Sequence, residues 1–251
     1  MKRCTVFMLL LAAYLVFLIG TMPAHIASAR IAAATQGTVD VIAPPQGTIW
    51  RGTAGMRIAG AALERVEWRF QAQRLFVGEW AYALRIDDAA LRAEAVVARS
   101  FSQWRVHQLV AEGQASLVGR WLPLLGIVSP SGQIHINATR LNINEKNLEG
   151  QAQLQWRAAA LGLSDVRPLG DYAAEVSLRG AGADYVVKTS SGVLRIAGRG
   201  TFQPPLQWSF NGEASAEKDM LPRLQEIFKL LGAVNTNNNT NDKGVYVINH
   251  R

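Results

Sequence analysis

The sequence predicts a mainly β protein, with one N-terminal transmembrane helix, a curved antiparallel β-sheet or sandwich, and a short C-terminal helix. Two observations lead to this class. Apolar and polar residues alternate with a period of two over most of the chain, and Gly, Asn and Asp pairs separate these segments at roughly ten-residue intervals, as in antiparallel hairpins. The 251 residues are 49% hydrophobic and 18% charged, so the chain can bury a core, which excludes general disorder.

The first predicted element is an uncharged, apolar run at residues 4–22, preceded by Lys2 and Arg3. As a helix it would extend about 28 Å, close to the ~30 Å hydrocarbon core of a bilayer. The basic start predicts a cytoplasmic N-terminus, so residues 1–22 form a cytoplasmic tip and a single transmembrane anchor, with the bulk of the chain exported across the membrane. A cleaved signal peptide is the alternative, because residues 27–29 read Ala-Ser-Ala. We favour the anchor, since signal-peptide apolar regions usually span ~7–15 residues.

Residues 23–46 are predicted to form a connector, and residues 47–251 a β-rich exported domain. The stretch QGTIWRGTAG, residues 46–55, is expected to open the sheet. Neighbouring strand residues point to opposite faces, so Trp50 should face the core and Arg51 solvent or a partner. Gly47 and Gly52 would allow a close approach or a bulge.

The later strands are predicted from the same alternation. Trp68 lies in the segment RVEWRF, Trp80 in GEWAYAL, and Trp156 and Trp208 in two LQW segments. Aromatic residues at alternate strand positions favour the core, although tryptophans can also stack on sugars or form an interface. Seven residues are therefore the structural or interaction candidates: Trp50, Arg51, Gly52, Trp68, Trp80, Trp156 and Trp208.

Two segments have helical character. Residues 116–128 are apolar and contain Pro123, which fits a short helix or a buried connection, with similar β-halves possible on either side. Residues 219–231 place Met220, Leu224, Ile227 and Leu231 at helical spacing, so this segment predicts a helix that caps one end of the sheet. A polar, Asn-rich loop at 235–242 and a last strand follow.

No constellation for catalysis or metal binding is recognisable in the sequence. The four histidines are isolated from other ligands, and no G-x-S-x-G motif is present. The net charge of +7 comes from singly scattered residues, which is typical of solvated strands and not of a nucleic-acid groove. We therefore predict no enzyme activity, no cofactor and no nucleic-acid partner. Cys4 is the single cysteine, which excludes an internal disulfide.

The order of several motifs resembles a known family. GTIWRGTA, RVEWRF, GEWAYAL, LQWRAA, RPLGDYAAEVSLRG, SGVLRIAGRGTF, LQWSFNGEA and LPRLQEIFKLLG follow one another between Gly47 and Val247, behind the apolar N-terminal run. In this order they are similar to protein N of the bacterial type II secretion system, the general secretion pathway protein N family. The resemblance implies an accessory component of the machine that exports folded proteins across the outer membrane. It implies a bacterial inner-membrane protein with a single span, a cytoplasmic N-terminus and a periplasmic domain at residues 47–251. It also implies inner-membrane and periplasmic secretion components as partners, with no catalytic residues.

A second hypothesis comes from the predicted sheet itself. A long apolar inner face can remain open as a groove that binds an acyl chain, as in envelope lipid-transfer proteins. The two hypotheses differ in whether the aromatic side chains close onto a packed core or line an open channel.

Overall fold

The computed structural model describes residues 2–26, 39–58, 60–101, 103–121, 128–144, 147–204, 207–235 and 243–250. Its helices are α1 (Lys2–Gly20), α2 (Ser116–Trp121), α3 (Leu221–Leu230) and a 3-10 helix at Ala72–Val77. Its strands are β1 (Val39–Val41), β2 (Gln46–Gly47), β3 (Arg51–Ile58), β4 (Ala61–Phe70), β5 (Trp80–Asp87), β6 (Leu91–Arg99), β7 (Trp104–Gln114), β8 (Ser131–Ile143), β9 (Leu148–Ala160), β10 (Gly170–Arg179), β11 (Gly182–Gly192), β12 (Arg195–Gln203), β13 (Gln207–Glu217), β14 (Ala233–Asn235) and β15 (Lys243–His250).

In the described part of the chain, these fifteen strands form one antiparallel sheet. Its order is β1-β3-β4-β5-β6-β7-β8-β9-β10-β11-β12-β13-β15-β14, with β2 also paired to β3. From β3 to β13 each strand pairs with the next in sequence, so the chain folds as a long meander. The predicted mainly β, antiparallel class is confirmed, and the chain adopts one sheet where the sequence also allowed a sandwich.

Strand register gives the sheet a continuous apolar face. One row of directly opposed residues crosses eight strands: Val66, Ile86, Ala93, Ala111, Ile136, Leu154, Ala174 and Val187. The neighbouring row carries charges, since Glu67 faces Arg85 and Arg85 faces Glu94. Period-2 alternation therefore separates an apolar from a polar face, because successive side chains point to opposite sides.

The densest core lies under α3. Leu224, Ile227 and Phe228 of this helix are buried, together with Leu194 of the β11–β12 connection and Ile248 of β15. The helix predicted at 219–231 is confirmed at Leu221–Leu230, and its spacing predicts the buried stripe correctly. Over β4 to β9 the apolar row given above is mostly half-buried, so that part of the apolar face is incompletely covered.

The N-terminal segment forms α1, as predicted. Every side chain that the structure describes in this helix, from Thr5 to Gly20, is exposed. Within the described part of the chain, no helix has both the length and the apolar character needed to cross a membrane.

Three predicted segments lie partly outside the described residues. They are 27–38 of the connector, 122–127 of the segment after β7, and 236–242 of the Asn-rich loop. The described part of the connector contains β1, which pairs with Met56–Ile58, so the sheet begins earlier than residue 47. The segment 116–128 begins with a short helix, α2.

Candidate interaction surface

Four aromatic rings meet at the end of the sheet where β3 begins and β4 ends. Phe70 lies at the centre, with ring centroids 4.9 Å from Trp50, 4.9 Å from Trp80 and 5.3 Å from Tyr82. The Trp50 and Trp80 centroids are 5.8 Å apart. The rings are tilted or edge-on to one another, which is the favourable geometry for aromatic pairs. We call Trp50, Phe70, Trp80 and Tyr82 the aromatic cluster.

Trp50 joins this cluster to α1. Its indole Nε1–H donates a hydrogen bond of 2.7 Å to the carbonyl of Ile19, in the last turn of the helix. The backbone reinforces the contact, because the Ile49 N–H donates to the Met22 carbonyl at 3.0 Å. Trp50 lies in the turn before β3 and is half-buried. The prediction of a core-facing strand residue is therefore wrong, since β3 begins one residue later, at Arg51.

Gly52 and Trp68 fit together across β3 and β4. They are directly opposed, and a Cβ atom on Gly52 would collide with the Trp68 indole and with the Gln46 carbonyl. The Trp68 Nε1–H donates a 3.1 Å hydrogen bond to the Thr48 carbonyl, which holds the ring against the turn. Glycine at this position therefore lets the indole lie over the strand, in agreement with the predicted close approach.

The other two candidate tryptophans lie elsewhere. Trp156 is half-buried in β9, where its Nε1–H donates to the Ser131 carbonyl at 2.9 Å. Trp208 pairs with Phe202 near the β12–β13 connection and is 44% exposed. Trp80 is 48% exposed. Trp50, Trp68 and Trp156 are half-buried, whereas Trp80 and Trp208 lie on partly open parts of the sheet, so the prediction of core residues is wrong for those two.

Arg51 and Arg69 lie directly opposite each other on the polar face of β3 and β4. Like charges in this position repel each other. Within the described residues, neither guanidinium has a carboxylate at ion-pair distance, whereas Arg65 pairs with Glu67 at 2.8 Å. We call Arg51 and Arg69 the arginine pair. Its two positive charges are available to an external anion.

The arginine pair borders a concavity of about 770 Å³ on the polar face of β3–β7. Ala83, Val96 and Val110 line it together with the charged side chains of this face. Gln108 also lines it and has a φ of 52° at a β-bulge in β7. Such a conformation is costly for a residue other than glycine and concentrates at functional sites. The concavity therefore combines positive charge, an apolar floor and a locally strained strand.

Large apolar side chains project from the loops at the same end of the sheet. Phe76 and Val77, the last two residues of the 3-10 helix, are 93% and 72% exposed, and Phe101 in the β6–β7 turn is 99% exposed. These loops are neighbours, because Trp80 at the start of β5 opposes Arg99 at the end of β6. We call Phe76, Val77 and Phe101 the apolar tips. Their exposure is not visible in the sequence pattern, which only marks these positions as apolar.

A buried charge cluster lies beneath the tips. Glu79, 5% exposed, accepts hydrogen bonds from Arg74 Nη1 at 2.8 Å and from Arg105 Nη1 at 2.6 Å. Burial raises the pKa of the Glu79 carboxyl, but the bonds from Arg105 and Arg74 outweigh it, so this pKa lies below its ordinary value. Two partly buried hydrogen bonds between charged groups therefore connect the 3-10 helix to β7.

His107 adjoins the same carboxylate. Its Nε2 is buried without a hydrogen-bond partner and lies 3.8 Å from Glu79 Oε2. Burial lowers the pKa of His107, the Arg74 charge lowers it further, and the attraction of Glu79 does not compensate. In the sequence His107 has no neighbouring ligand, because residues 28 positions apart meet only through strand pairing. Among the described residues, no group of three His, Cys, Asp or Glu side chains is placed to hold a metal ion.

The comparisons with known proteins place most of the chain in a family. The family model for the type II secretion system (T2SS), protein N, matches residues 41–241. Neither the curated proteins nor the solved structures gave a match. The matched region begins in β1, includes the aromatic cluster, the arginine pair and the buried charge cluster, and extends past α3. Because it covers most of the chain, the protein belongs to the type II secretion system protein N family.

Proposed function

We propose that the protein is a non-enzymatic accessory component of the type II secretion system, which assists export by binding other components of that system. Family membership over residues 41–241 is the observation that carries this proposal. The concavity beside the arginine pair adds a candidate surface for such partners, since it offers both charge and apolar area.

Deletion and crosslinking test this role. Deleting the gene from its host should reduce the amount of secreted protein in the medium, and the wild-type gene should restore it. A photo-crosslinking residue at Glu94, which lines the concavity, should capture secretion components from the cell envelope. The same residue at exposed Ser190 in β11 is the matched control. Normal secretion in the deletion strain, together with no secretion component captured from either site, would overturn the proposal.

We also propose that α1 attaches the protein to the inner membrane, with the sheet in the periplasm. The support is the exposed apolar surface of α1, where Phe7, Leu9, Val16 and Phe17 are each about two-thirds exposed. An isolated helix that is apolar on all sides needs a lipid or protein environment. The single span stays a prediction, because attachment requires only that α1 enters the bilayer. Alkaline carbonate washing of membranes checks it: release of the protein into the soluble fraction would contradict attachment.

Lipid binding is the second candidate function, favoured by the half-buried apolar row that crosses β4 to β9. An acyl chain would cover this row. Mass spectrometry of gently purified protein should then find bound lipid. Ala111→Phe places a large ring where the acyl chain would lie and should reduce the amount of bound lipid. Val110→Phe changes the opposite face of the same strand and should not. Protein that is free of lipid in repeated preparations would remove this candidate.

A further inference from the structure

We propose that the end of the sheet carrying the apolar tips lies on a phospholipid bilayer, with Phe76, Val77 and Phe101 inserted and the arginine pair bound to lipid phosphates. The inference rests on the proposed attachment of α1 to the membrane. It goes further because it assigns a lipid-binding surface to the sheet and fixes which end of the sheet faces the membrane.

The exposure of the tips is the first argument. Phe76 is 93% exposed and Phe101 is 99% exposed. Both rings therefore remain in water, which is unfavourable for apolar surface. Val77 extends the same apolar surface. Exposed apolar side chains grouped at one end of a sheet mark an interaction site, and loops bearing aromatic tips suit the boundary between headgroups and acyl chains.

The position of α1 indicates that the apolar tips contact lipid. The Trp50 indole bonds to the Ile19 carbonyl, and Trp50 contacts Phe70 and Trp80. Trp80 follows the 3-10 helix and its exposed tips by three residues. The C-terminal end of α1, the aromatic cluster and the apolar tips therefore lie at one end of the sheet. If α1 enters the bilayer, this end reaches the lipid surface.

Tryptophan and tyrosine side chains beside the apolar tips are typical of a membrane–water interface. Their rings are apolar and their N–H or O–H groups remain hydrated, which is why they are enriched where lipid meets water. Trp80 and Trp104, at the starts of β5 and β7, are 48% and 44% exposed and flank the tips. Both are placed to occupy the headgroup layer while the phenylalanines lie deeper.

The arginine pair supplies charge complementarity. Arg51 follows Trp50 directly and Arg69 lies opposite it, so both arginines belong to the end of the sheet that contacts α1. Within the described residues their charges have no carboxylate partner. Arginine forks match phosphate oxygens, and anionic lipid surfaces attract such groups. A bound phosphate would also relieve the repulsion between the two arginines.

Depth-dependent fluorescence quenching tests the proposal. The full-length chain with Cys4→Ser is labelled at one introduced cysteine and reconstituted into phosphatidylcholine vesicles that contain phosphatidylglycerol and a lipid carrying a shallow nitroxide. Labels at Phe76→Cys and Phe101→Cys should lose several-fold more fluorescence than a label at Ala89→Cys. Ala89 is exposed in the β5–β6 turn, at the opposite end of the sheet, and serves as the matched control.

A label at Val16→Cys in α1 separates the two proposals. If the label at residue 16 is quenched but the labels at residues 76 and 101 are quenched no more than the label at residue 89, α1 enters the bilayer and the proposed contact of the sheet with lipid is wrong. If none is quenched, the attachment of α1 is wrong as well. If the fluorescence of the labels at residues 76 and 101 changes only when other secretion components are added, the partner of this surface is a protein and the proposed lipid contact is wrong.

Changes in lipid charge test whether the arginine pair binds lipid phosphates. Omitting phosphatidylglycerol should reduce quenching at residue 76 in the otherwise unmodified chain. In the double variant Arg51→Gln and Arg69→Gln, quenching should already be low and should no longer depend on phosphatidylglycerol. The variant Arg195→Gln with Arg199→Gln, which changes two exposed arginines of β12, is the control. Equal lipid dependence in both double variants would exclude phosphate binding by the arginine pair.

Discussion

The indole of Trp50 donates a hydrogen bond to the carbonyl oxygen of Ile19, 31 residues earlier in the chain, at 2.7 Å. The last carbonyl groups of a helix have no partner within it, and the Ile19 carbonyl accepts both this bond and a longer one of 3.3 Å from the Met22 N–H. Because the same ring contacts Phe70 and Trp80, it connects the apolar N-terminal helix to the first strands of the sheet. The connection gives the stretch QGTIWRGTAG its role as the docking point of α1.

Removing this ring should loosen α1. Trp50→Ala should lower the free energy of unfolding by about 2 kcal/mol, below the 3–5 kcal/mol typical of a fully buried aromatic residue, because Trp50 is only half-buried. Trp50→Phe keeps an aromatic ring but loses the N–H, and should cost about 1 kcal/mol. Urea denaturation in detergent, followed by far-ultraviolet circular dichroism, measures both changes.

Hydrogen exchange distinguishes docking from general stability. In both Trp50 variants the amide of Ala24, which donates to the Gly47 carbonyl at 3.1 Å, should exchange faster than in the unmodified chain. Trp104→Phe changes a half-exposed indole at the same end of the sheet and should leave this amide unaffected. Unchanged exchange at Ala24 in Trp50→Ala would mean that the ring does not hold α1.

Gly52 should tolerate no side chain. Gly52→Ala places a Cβ against the Trp68 indole and the Gln46 carbonyl, so β2 or the indole must move. We expect a loss of about 1–3 kcal/mol, the usual cost of overpacking, measured by thermal unfolding. Gly20→Ala, where a Cβ meets nothing within 4 Å, is the control. A Gly52→Ala protein as stable as that control would show that the contact is not restrictive.

Local pattern was sufficient to predict much of the fold and little of the candidate surface. The buried stripe of α3 repeats at helical spacing, and the strands alternate, so both could be recognised without tertiary information. The same alternation cannot distinguish a covered face from an open one, which is why Trp80 and Trp208 were misplaced in the core. The arginine pair and the bond that Glu79 accepts from Arg105 depend on strand register, which local sequence patterns do not reveal.

Glu79 should be a main determinant of stability at the apolar tips. Glu79→Gln keeps the shape of the side chain but leaves two guanidinium groups without a counter-charge, so the free energy of unfolding should fall by about 2–3 kcal/mol. This expected loss of stability is smaller than that for breaking a fully buried ion pair, because the side chains of Arg74 and Arg105 are each 29% exposed. Glu94→Gln, which removes an exposed carboxylate of the neighbouring strand, should change stability by less than about 0.5 kcal/mol. Chemical denaturation at neutral pH compares the two variants, and equal stability would contradict the role of Glu79.

The acid dependence of stability should separate His107 from Glu79. The pKa of His107 is lowered in the folded protein, so the unfolded chain binds a proton more readily, and stability falls as the pH drops below the ordinary value of 6.5. The pKa of Glu79 is also lowered, so its contribution is present above its ordinary value of 4.5 and is lost as the pH falls through the lower folded value.

His107→Leu should therefore flatten the stability profile just below pH 6.5, while the fall below pH 4.5 remains. At neutral pH this variant should be no less stable than the unmodified chain, since leucine removes a buried ring nitrogen that has no hydrogen-bond partner. Denaturant unfolding at closely spaced pH values measures both profiles, with His135→Leu on β8 as the control. A profile for His107→Leu that matches the unmodified chain between pH 6.5 and pH 4.5 would mean that His107 is not neutralised by its burial beside Arg74.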